Sequence, residues 1–247
     1  MHDRIAAYRF EDFIADTHRA ADGMALFGLL SRAVGQYGYD RLIFSAPFDL
    51  DLPPEHNRRG LIQNYPDDWQ AYYTENDCAR IDPVLLAASL RTDAFTWDEL
   101  EKTSDYSRAQ IRFMRLAEDA GLHHGVGVPL HAGRSLIAGV GLASSHAIDA
   151  TRPHLDLLNA YCTQFYMAYK RLYARPDISP MDTPLSAKEK EILHWVAAGK
   201  TDDDIGVILT ISRNTVDTHM RHIFAKLDAP NRVTAVVKAI MGGHIRP

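Results

Sequence analysis

Cysteine is scarce: Cys78 and Cys162 are the only two in 247 residues. That excludes a disulfide framework and a multi-cysteine zinc site. No stretch approaches the roughly 18 consecutive apolar residues that a membrane span requires. The opening segment MHDRIAAYRFEDF lacks the apolar core of a secretory leader, so the chain is expected in the cytoplasm. No glycine-rich phosphate loop and no Ser-His-Asp arrangement occurs. Histidine is plentiful, but His123, His124 and His131 show no HxH or HxxxH spacing with suitable carboxylates. Surface or strand histidines are the expectation, with no metal and no cofactor. These absences argue against an enzyme, and a lactone-degrading or acyl-transferring activity is the enzymatic alternative they weigh against. What remains is ordinary soluble composition: 46% hydrophobic, 9% aromatic and 24% charged.

Net charge is small, −5, but unevenly placed. Residues 180–247 carry nine Lys and Arg against eight Asp and Glu, or +1, while the remainder carries 18 against 24, or −6. From Ile211 onward six basic residues face two acidic ones, or +4. A basic end on an acidic chain suits a DNA-binding module attached to a separate domain, although charge runs are often only solvated surface. The segment RPDISPMDTP, 175–184, has three prolines and no apolar period. Proline there cannot sit inside a helix or a sheet ladder, so 175–184 is read as a linker between domains 1–174 and 185–247.

Four helices are legible after the linker. Ser186 and Glu189 form a capping box, followed by Ile192, Leu193 and Val196 at helical spacing. Thr201 caps the next helix, with Ile205, Ile208 and Leu209 as its stripe. Thr210-Ile211-Ser212 is a turn, and Ser212 caps a third helix whose buried stripe is Val216, Met220, Ile223 and Leu227. Asn231 opens a fourth, packing Val233, Val236, Val237 and Ile240. Two helices joined by a tight turn, the second basic and N-capped, describe a helix-turn-helix. A plain four-helix bundle would share this periodicity. The outward face of the third helix offers Arg213, Asn214, Asp217, Thr218 and Arg221. Arg221 can bond a guanine edge bidentately, Thr218 can meet a base edge or a thymine methyl, and Asp217 can accept from cytosine N4. Arg213 and Lys226 are expected at phosphates.

The stretch from Leu185 to Ile240 resembles the DNA-binding domain of the LuxR family. The match rests on Leu185, Glu189, Leu193, Gly199, Lys200, Thr201, Ile205, Leu209, Ile211, Ser212, Thr215, Val216, His219, Ile223, Lys226, Leu227, Asn231, Arg232 and Ala235. The resemblance implies that Asp217, Thr218 and Arg221 face bases. Asp204 and Gly206 depart from the commoner Glu and Ala, and a helical glycine costs about 1 kcal/mol relative to alanine.

Upstream, the alternating strands, helices and acidic pair of a phosphorylation receiver are not found. Helices read at 8–19 and 23–37, a strand at Leu42-Ile43-Phe44 and a short one near 61–64. A helix then carries Trp69, Tyr72 and Tyr73, and Asp82 with Pro83 opens another. A helix follows at 105–120, strands near 124–130 and 136–143, and a long helix at 151–173. The seam of that last helix, Leu155, Leu158, Cys162, Phe165, Tyr169 and Leu172, fits its own sheet or a second subunit. The expected fold class is α+β: an N-terminal α/β/α sandwich with a central antiparallel sheet, plus a C-terminal all-α four-helix helix-turn-helix domain. Aromatic residues gathered on one sheet face predict an apolar pocket with few polar groups. Trp69 can only donate, so it suits a ring carbonyl; an ionised Asp82 can only accept, so it suits an amide N–H, its second oxygen being free beyond the helix cap. Tyr65 can donate to an acyl carbonyl and Trp97 can lie on a small ring. Each of these residues could equally be core or cap.

The segment NYPDDWQAYYTENDCARIDPV (64–84), Trp97 and AGLHHGVGVPLH (120–131) resemble the acyl-homoserine-lactone receptor branch of the LuxR family. The resemblance implies that Trp69 bonds the lactone carbonyl, Asp82 the amide N–H and Tyr65 the acyl carbonyl, while Trp97 packs on the lactone and Tyr73 walls the pocket. Gly141 stands where many members carry Ser or Thr, which suggests room for a branched, bulky or aromatic acyl group. The acyl wall is expected from Phe44, Ile62, Val84, Leu85, Phe113, Val126, Val128 and Gly139. The expected partners are a homoserine-lactone autoinducer, double-stranded promoter DNA and a second copy of the chain in a homodimer, with no membrane. A solo regulator answering a non-lactone signal, or none, is the alternative.

Overall fold

The structure is a computed structural model describing residues 8–49, 51–103, 105–130, 137–146, 154–174 and 185–245. The chain divides into two compact units, Met1–Ala174 and Arg175–Pro247. The expected linker, 175–184, and His131 lie outside the described residues.

The first unit runs α1 (Phe10–Thr17), α2 (Gly23–Gly35), β1 (Arg41–Phe48), β2 (Ile62–Gln63), α3 (Asp67–Glu75), α4 (Pro83–Leu90), β3 (Phe95–Thr96), α5 (Trp97–Thr103), α6 (Arg108–Asp119), β4 (His123–Pro129), β5 (Ile137–Ser144) and α7 (Leu155–Tyr173). Its five strands are all antiparallel, in the order β2-β1-β5-β4-β3. Local chemistry starts the helices. Asp22 accepts from Ala25 N–H at α2, and Ser107 with Gln110 forms a capping box that begins α6 at Arg108 rather than 105. Two elements escaped the sequence reading, β3 and α5. A two-residue strand is too short for alternation to register.

The sheet's two faces differ in kind. Side chains alternate along a strand, and one set comprises Leu42, Phe44 and Ala46 of β1, Val126 and Val128 of β4, and Val140 and Leu142 of β5. All are buried in one cluster with α2 and α7. Phe44 meets Phe165 and Tyr169 at ring-centroid distances of 5.0 and 4.9 Å. Most of the α7 seam therefore packs within its own unit, although Leu172 is exposed. The segment after β1 is tied to α7 as well. Buried Asp49 accepts from the Tyr166 hydroxyl, Lys170 reaches Asp51 at 2.5 Å, and His56 pairs with the Tyr169 hydroxyl. The opposite face carries Ile43 and Ser45 beside Gly125, Gly127, Gly139 and Gly141.

The second unit comprises α8 (Ala187–Ala197), α9 (Asp202–Leu209), α10 (Arg213–Leu227) and α11 (Arg232–Met241). Each start is capped: boxes at Ser186/Glu189 and Thr201/Asp204, Ser212 to Thr215 N–H, and Asn231 to Thr234 N–H. Ile192, Leu193, Ile205, Val216, Met220, Ile223 and Leu227 form its core. Two stripes differ from expectation. Ile208 is exposed, and α11 buries Ala235 and Ala239 while Val233, Val237 and Ile240 point outward, Val233 at 73% exposure. Helical period fits both faces of α11, and the smaller side chains allow the closer approach. Gly206 has a packing reason: a methyl there would lie 2.8 Å from the Ile211 carbonyl across the turn.

Lys226 is turned inward. Its ammonium donates to buried Glu189 at 2.8 Å, and Ser186 N–H donates to the same carboxylate at 2.6 Å. Burial pushes the Glu189 carboxyl up, but Lys226 and Ser186 outweigh it and hold the pKa below the ordinary 4.5. A depressed folded pKa means stability present at neutral pH and lost as pH falls from 4.5 through the folded value. Glu189→Gln in the full chain is expected to lose about 1–3 kcal/mol of unfolding free energy at pH 7, because Lys226 keeps part of its solvation. Urea titrations at pH 7 and below 4 should find that difference shrinking with acidity.

Candidate functional site

A cavity of about 260 Å³ lies on the glycine face of the sheet. Its floor is β4 and β5, with Gly127 opposite Gly141 and Ser45 of β1 opposite Gly139. The four glycines play different parts. A methyl at Gly125 would overlap the Trp97 ring, and one at Gly127 the Phe95 ring, so two aromatics fill that end. At Gly141 a methyl would lie 3.1 Å from the Tyr65 hydroxyl and 2.9 Å from an Ile43 methyl. At Gly139 only backbone lies within reach, the nearest atom being the Val128 carbonyl oxygen at 3.1 Å. Gly141 thus seats Tyr65, and the open floor is at Gly139.

The polar end is built on α3 and α4. Trp69 is buried, tilted against Phe113 at 5.4 Å and edge-on to Tyr73 at 6.3 Å. Its indole N–H makes no hydrogen bond among the described residues. Asp82 caps α4: one carboxylate oxygen accepts from Val84 N–H at 2.9 Å and Leu85 N–H at 3.2 Å. The second oxygen, expected to be free, instead accepts from the Tyr73 hydroxyl at 2.8 Å. Each carboxylate oxygen has two lone pairs, so this one retains a place for another donor. Tyr73 is therefore more than a wall, because it aims the carboxylate. Burial pushes the Asp82 carboxyl above its ordinary value, against the lowering by Tyr73, the two backbone N–H groups and Arg59. Burial also raises the Tyr65 and Tyr73 hydroxyls, leaving both as donors. The Trp97 indole N–H is buried without a partner among the described residues.

Tyr65, Trp69, Tyr73, Asp82, Trp97, Val84, Leu85, Phe113, Gly139 and Gly141 all line this cavity, and Val128 borders it. Phe44, Ile62 and Val126 do not. Phe44 and Val126 belong to the face packed on α7, and Ile62 packs beside the same cluster. The alternation was set one residue out, and a slip of one exchanges the faces. Ile43 and Ser45 take the place given to Phe44, and Gln63 that given to Ile62. The three residues Leu42-Ile43-Phe44 are apolar at both parities, but over the whole strand Arg41 and Ser45 interrupt the set of Ile43 while Leu42, Phe44 and Ala46 are uniformly apolar, so the longer window assigns Phe44 to the α7 face. Gln70 was also missed; its side chain donates to the Tyr65 carbonyl and accepts from Gln63.

In the second unit, α9 ends at Thr210 in the left-handed region (φ 55°), and Ser212 starts α10. Arg213, Asn214, Thr218 and Arg221 are exposed on α10 and Asp217 half-exposed. The Thr218 hydroxyl donates to the Asn214 carbonyl at 2.9 Å, Arg213 lies 3.5 Å from Asp203, and Arg221 donates to Asp217. Lys226, expected at phosphate, is instead held by Glu189 from within the core.

The chain matches two families along its length: autoinducer binding domain over residues 24–168, and bacterial regulatory proteins, luxR family, over 183–239. Fold and cavity thus define an autoinducer-binding transcriptional regulator with a DNA-binding helix-turn-helix. The chain belongs to the LuxR family. It is 34% identical over 189 residues to the HTH-type quorum sensing-dependent transcriptional regulator RpaR of Rhodopseudomonas palustris, covering 75% of each chain. It is 30% identical over 241 residues to the transcriptional activator protein SolR of Ralstonia solanacearum, covering 96% of this chain and 98% of that one. Among solved structures, Escherichia coli SdiA superposes with a TM-score of 0.66 at 25% identity, covering 96% of this chain and 98% of that one. These relatives are transcriptional regulators, not enzymes. No helix among the described residues is long and apolar enough to cross a membrane.

The glycine floor has a direct test. Gly125→Ala is expected to displace Trp97 and to cost about 1–3 kcal/mol, as overpacking does. Urea unfolding should show a lower midpoint at unchanged slope.

Proposed function

We propose that the protein is a cytoplasmic quorum-sensing transcription factor that binds an N-acyl- or aryl-homoserine lactone in residues 1–174. As a homodimer it reads a specific promoter site through residues 185–247. The observation that carries this reading is the half-buried Asp82 carboxylate at the cavity edge, aimed by Tyr73, in a cavity also lined by Trp69, whose indole N–H has no protein partner among the described residues. Two donors and one acceptor match two carbonyls and one amide N–H. Trp69 donates to the lactone carbonyl, Tyr65 to the acyl carbonyl, and Asp82 accepts the amide N–H. Trp97 packs on the lactone. Ile43, Val84, Leu85 and Phe113 wall the acyl group over Gly139. The α10 face of Arg213, Asn214, Asp217, Thr218 and Arg221 enters the major groove.

The outward α11 stripe of Val233, Val237 and Ile240 supports the dimer, with a second copy as its occupant. A helix-turn-helix that reads two half-sites needs a two-fold partner. The missing hydroxyl at Gly141 favours, as a second reading, a regulator whose signal is a small molecule other than a lactone.

A ligand bound only by the folded state adds about 2.7 kcal/mol at a hundred times its dissociation constant. A panel of acyl- and aryl-homoserine lactones should therefore include members that raise the melting temperature by roughly 5–10 °C. If none does, whether added during expression or afterwards, the lactone reading falls. Asparagine also caps helices well, so Asp82→Asn should leave ligand-free stability at pH 7 within about 1 kcal/mol while abolishing most of the lactone shift. Because the Asp82 pKa is raised in the fold, its proton favours folding at acid pH. That contribution is lost as pH rises from 3.8 through the folded value, and the Asn variant should lack this slope.

A further inference from the structure

We propose that Asp217 is a positioning residue for DNA reading: it holds the Arg221 guanidinium so that Arg221 discriminates a guanine. The inference rests on the reading that α10 enters the major groove. Asp217 and Arg221 stand one turn apart on the exposed side of α10, Asp217 half-exposed at the flank of the buried stripe of Val216, Met220, Ile223 and Leu227, and Arg221 donates to the Asp217 carboxylate through Nη2. The acid precedes the base by four residues, the favourable order on a helix. The Arg221 side chain remains 73% exposed despite the pair. A guanidinium has five N–H donors, so the pair leaves donors for the O6 and N7 acceptors of guanine.

A carboxylate on a groove-facing helix repels phosphates whatever their sequence. A free arginine swings among bases and phosphates, whereas one paired along the helix is biased toward the rotamers that keep the pair and present its planar fork. Asp217 therefore exchanges general affinity for discrimination. Arg213, on the same helix, is paired at 3.5 Å to Asp203 of the preceding helix and 68% exposed, which leaves Arg221 as the arginine oriented from within α10.

The test uses full-length protein expressed with a mixed homoserine-lactone panel and duplexes selected from a randomised pool. Binding of the selected duplex and of single-base variants is then measured for wild type, Asp217→Ala, Asp217→Glu, Arg221→Ala and the double Ala variant, with circular dichroism melting as the fold control. Arg221→Ala should flatten preference at one G·C position. Asp217→Ala should flatten the same position by about 3- to 10-fold while binding unrelated DNA more tightly. Asp217→Glu should restore part of the preference, and the double variant should discriminate no worse than Arg221→Ala. If Asp217→Ala tightens all duplexes equally with the preference intact, while Arg221→Ala still flattens one position, the positioning role is refuted and the groove reading stands. If wild type enriches no sequence at all, the groove reading fails and takes this role with it.

Discussion

The front unit depends on one asymmetry of its central strands: β4 and β5 carry valine and leucine on one face and glycine on the other. The first face packs on α7 and completes a core. The second cannot, since a glycine contributes no side chain to fill the space above it. Two of the four vacancies are filled by Trp97 and Phe95, a third seats the Tyr65 hydroxyl, and the fourth, at Gly139, is left to the cavity. The cavity is therefore written into the sheet and does not arise from loosely packed helices. The helices above it only decide which polar atoms look down.

Asp82 connects that cavity to the chain's local folding. Its carboxylate starts α4 and is held by Tyr73 from α3, so the two helices covering the floor are joined through the group that also offers the cavity its acceptor. Burial makes the charge costly, and the surrounding donors offset part of that cost. A carboxylate kept in such a position by three neighbours suits a ligand that brings one more donor.

Most of the architecture could be read from the residues. Caps and apolar period located most of the longer elements, because Asp82, Ser186, Thr201, Ser212 and Asn231 each satisfy backbone donors locally. Residues of the polar end of the cavity were legible because their chemistry is distinctive. What was lost depended on a longer window or on contacts distant in sequence. Leu42-Ile43-Phe44 alone is apolar at both parities, and only the full strand, with Arg41 and Ser45 on one parity and Leu42, Phe44 and Ala46 on the other, says which residues meet α7. The α11 stripe went astray for another reason, since Ala235 and Ala239 are the buried pair although valine looks the better core residue. Lys226 reads as a surface cation until Glu189, 37 positions earlier, is seen beneath it.

The double duty of Asp82 also bears on how such a receptor can diversify. A side chain that starts a helix and recognises a head-group cannot drift without upsetting both tasks. Ile43, Ser45 and the open floor at Gly139 carry no comparable second obligation. Changes in signal preference are thus channelled toward the tail end of the guest, while the head-group contacts stay anchored to the scaffold.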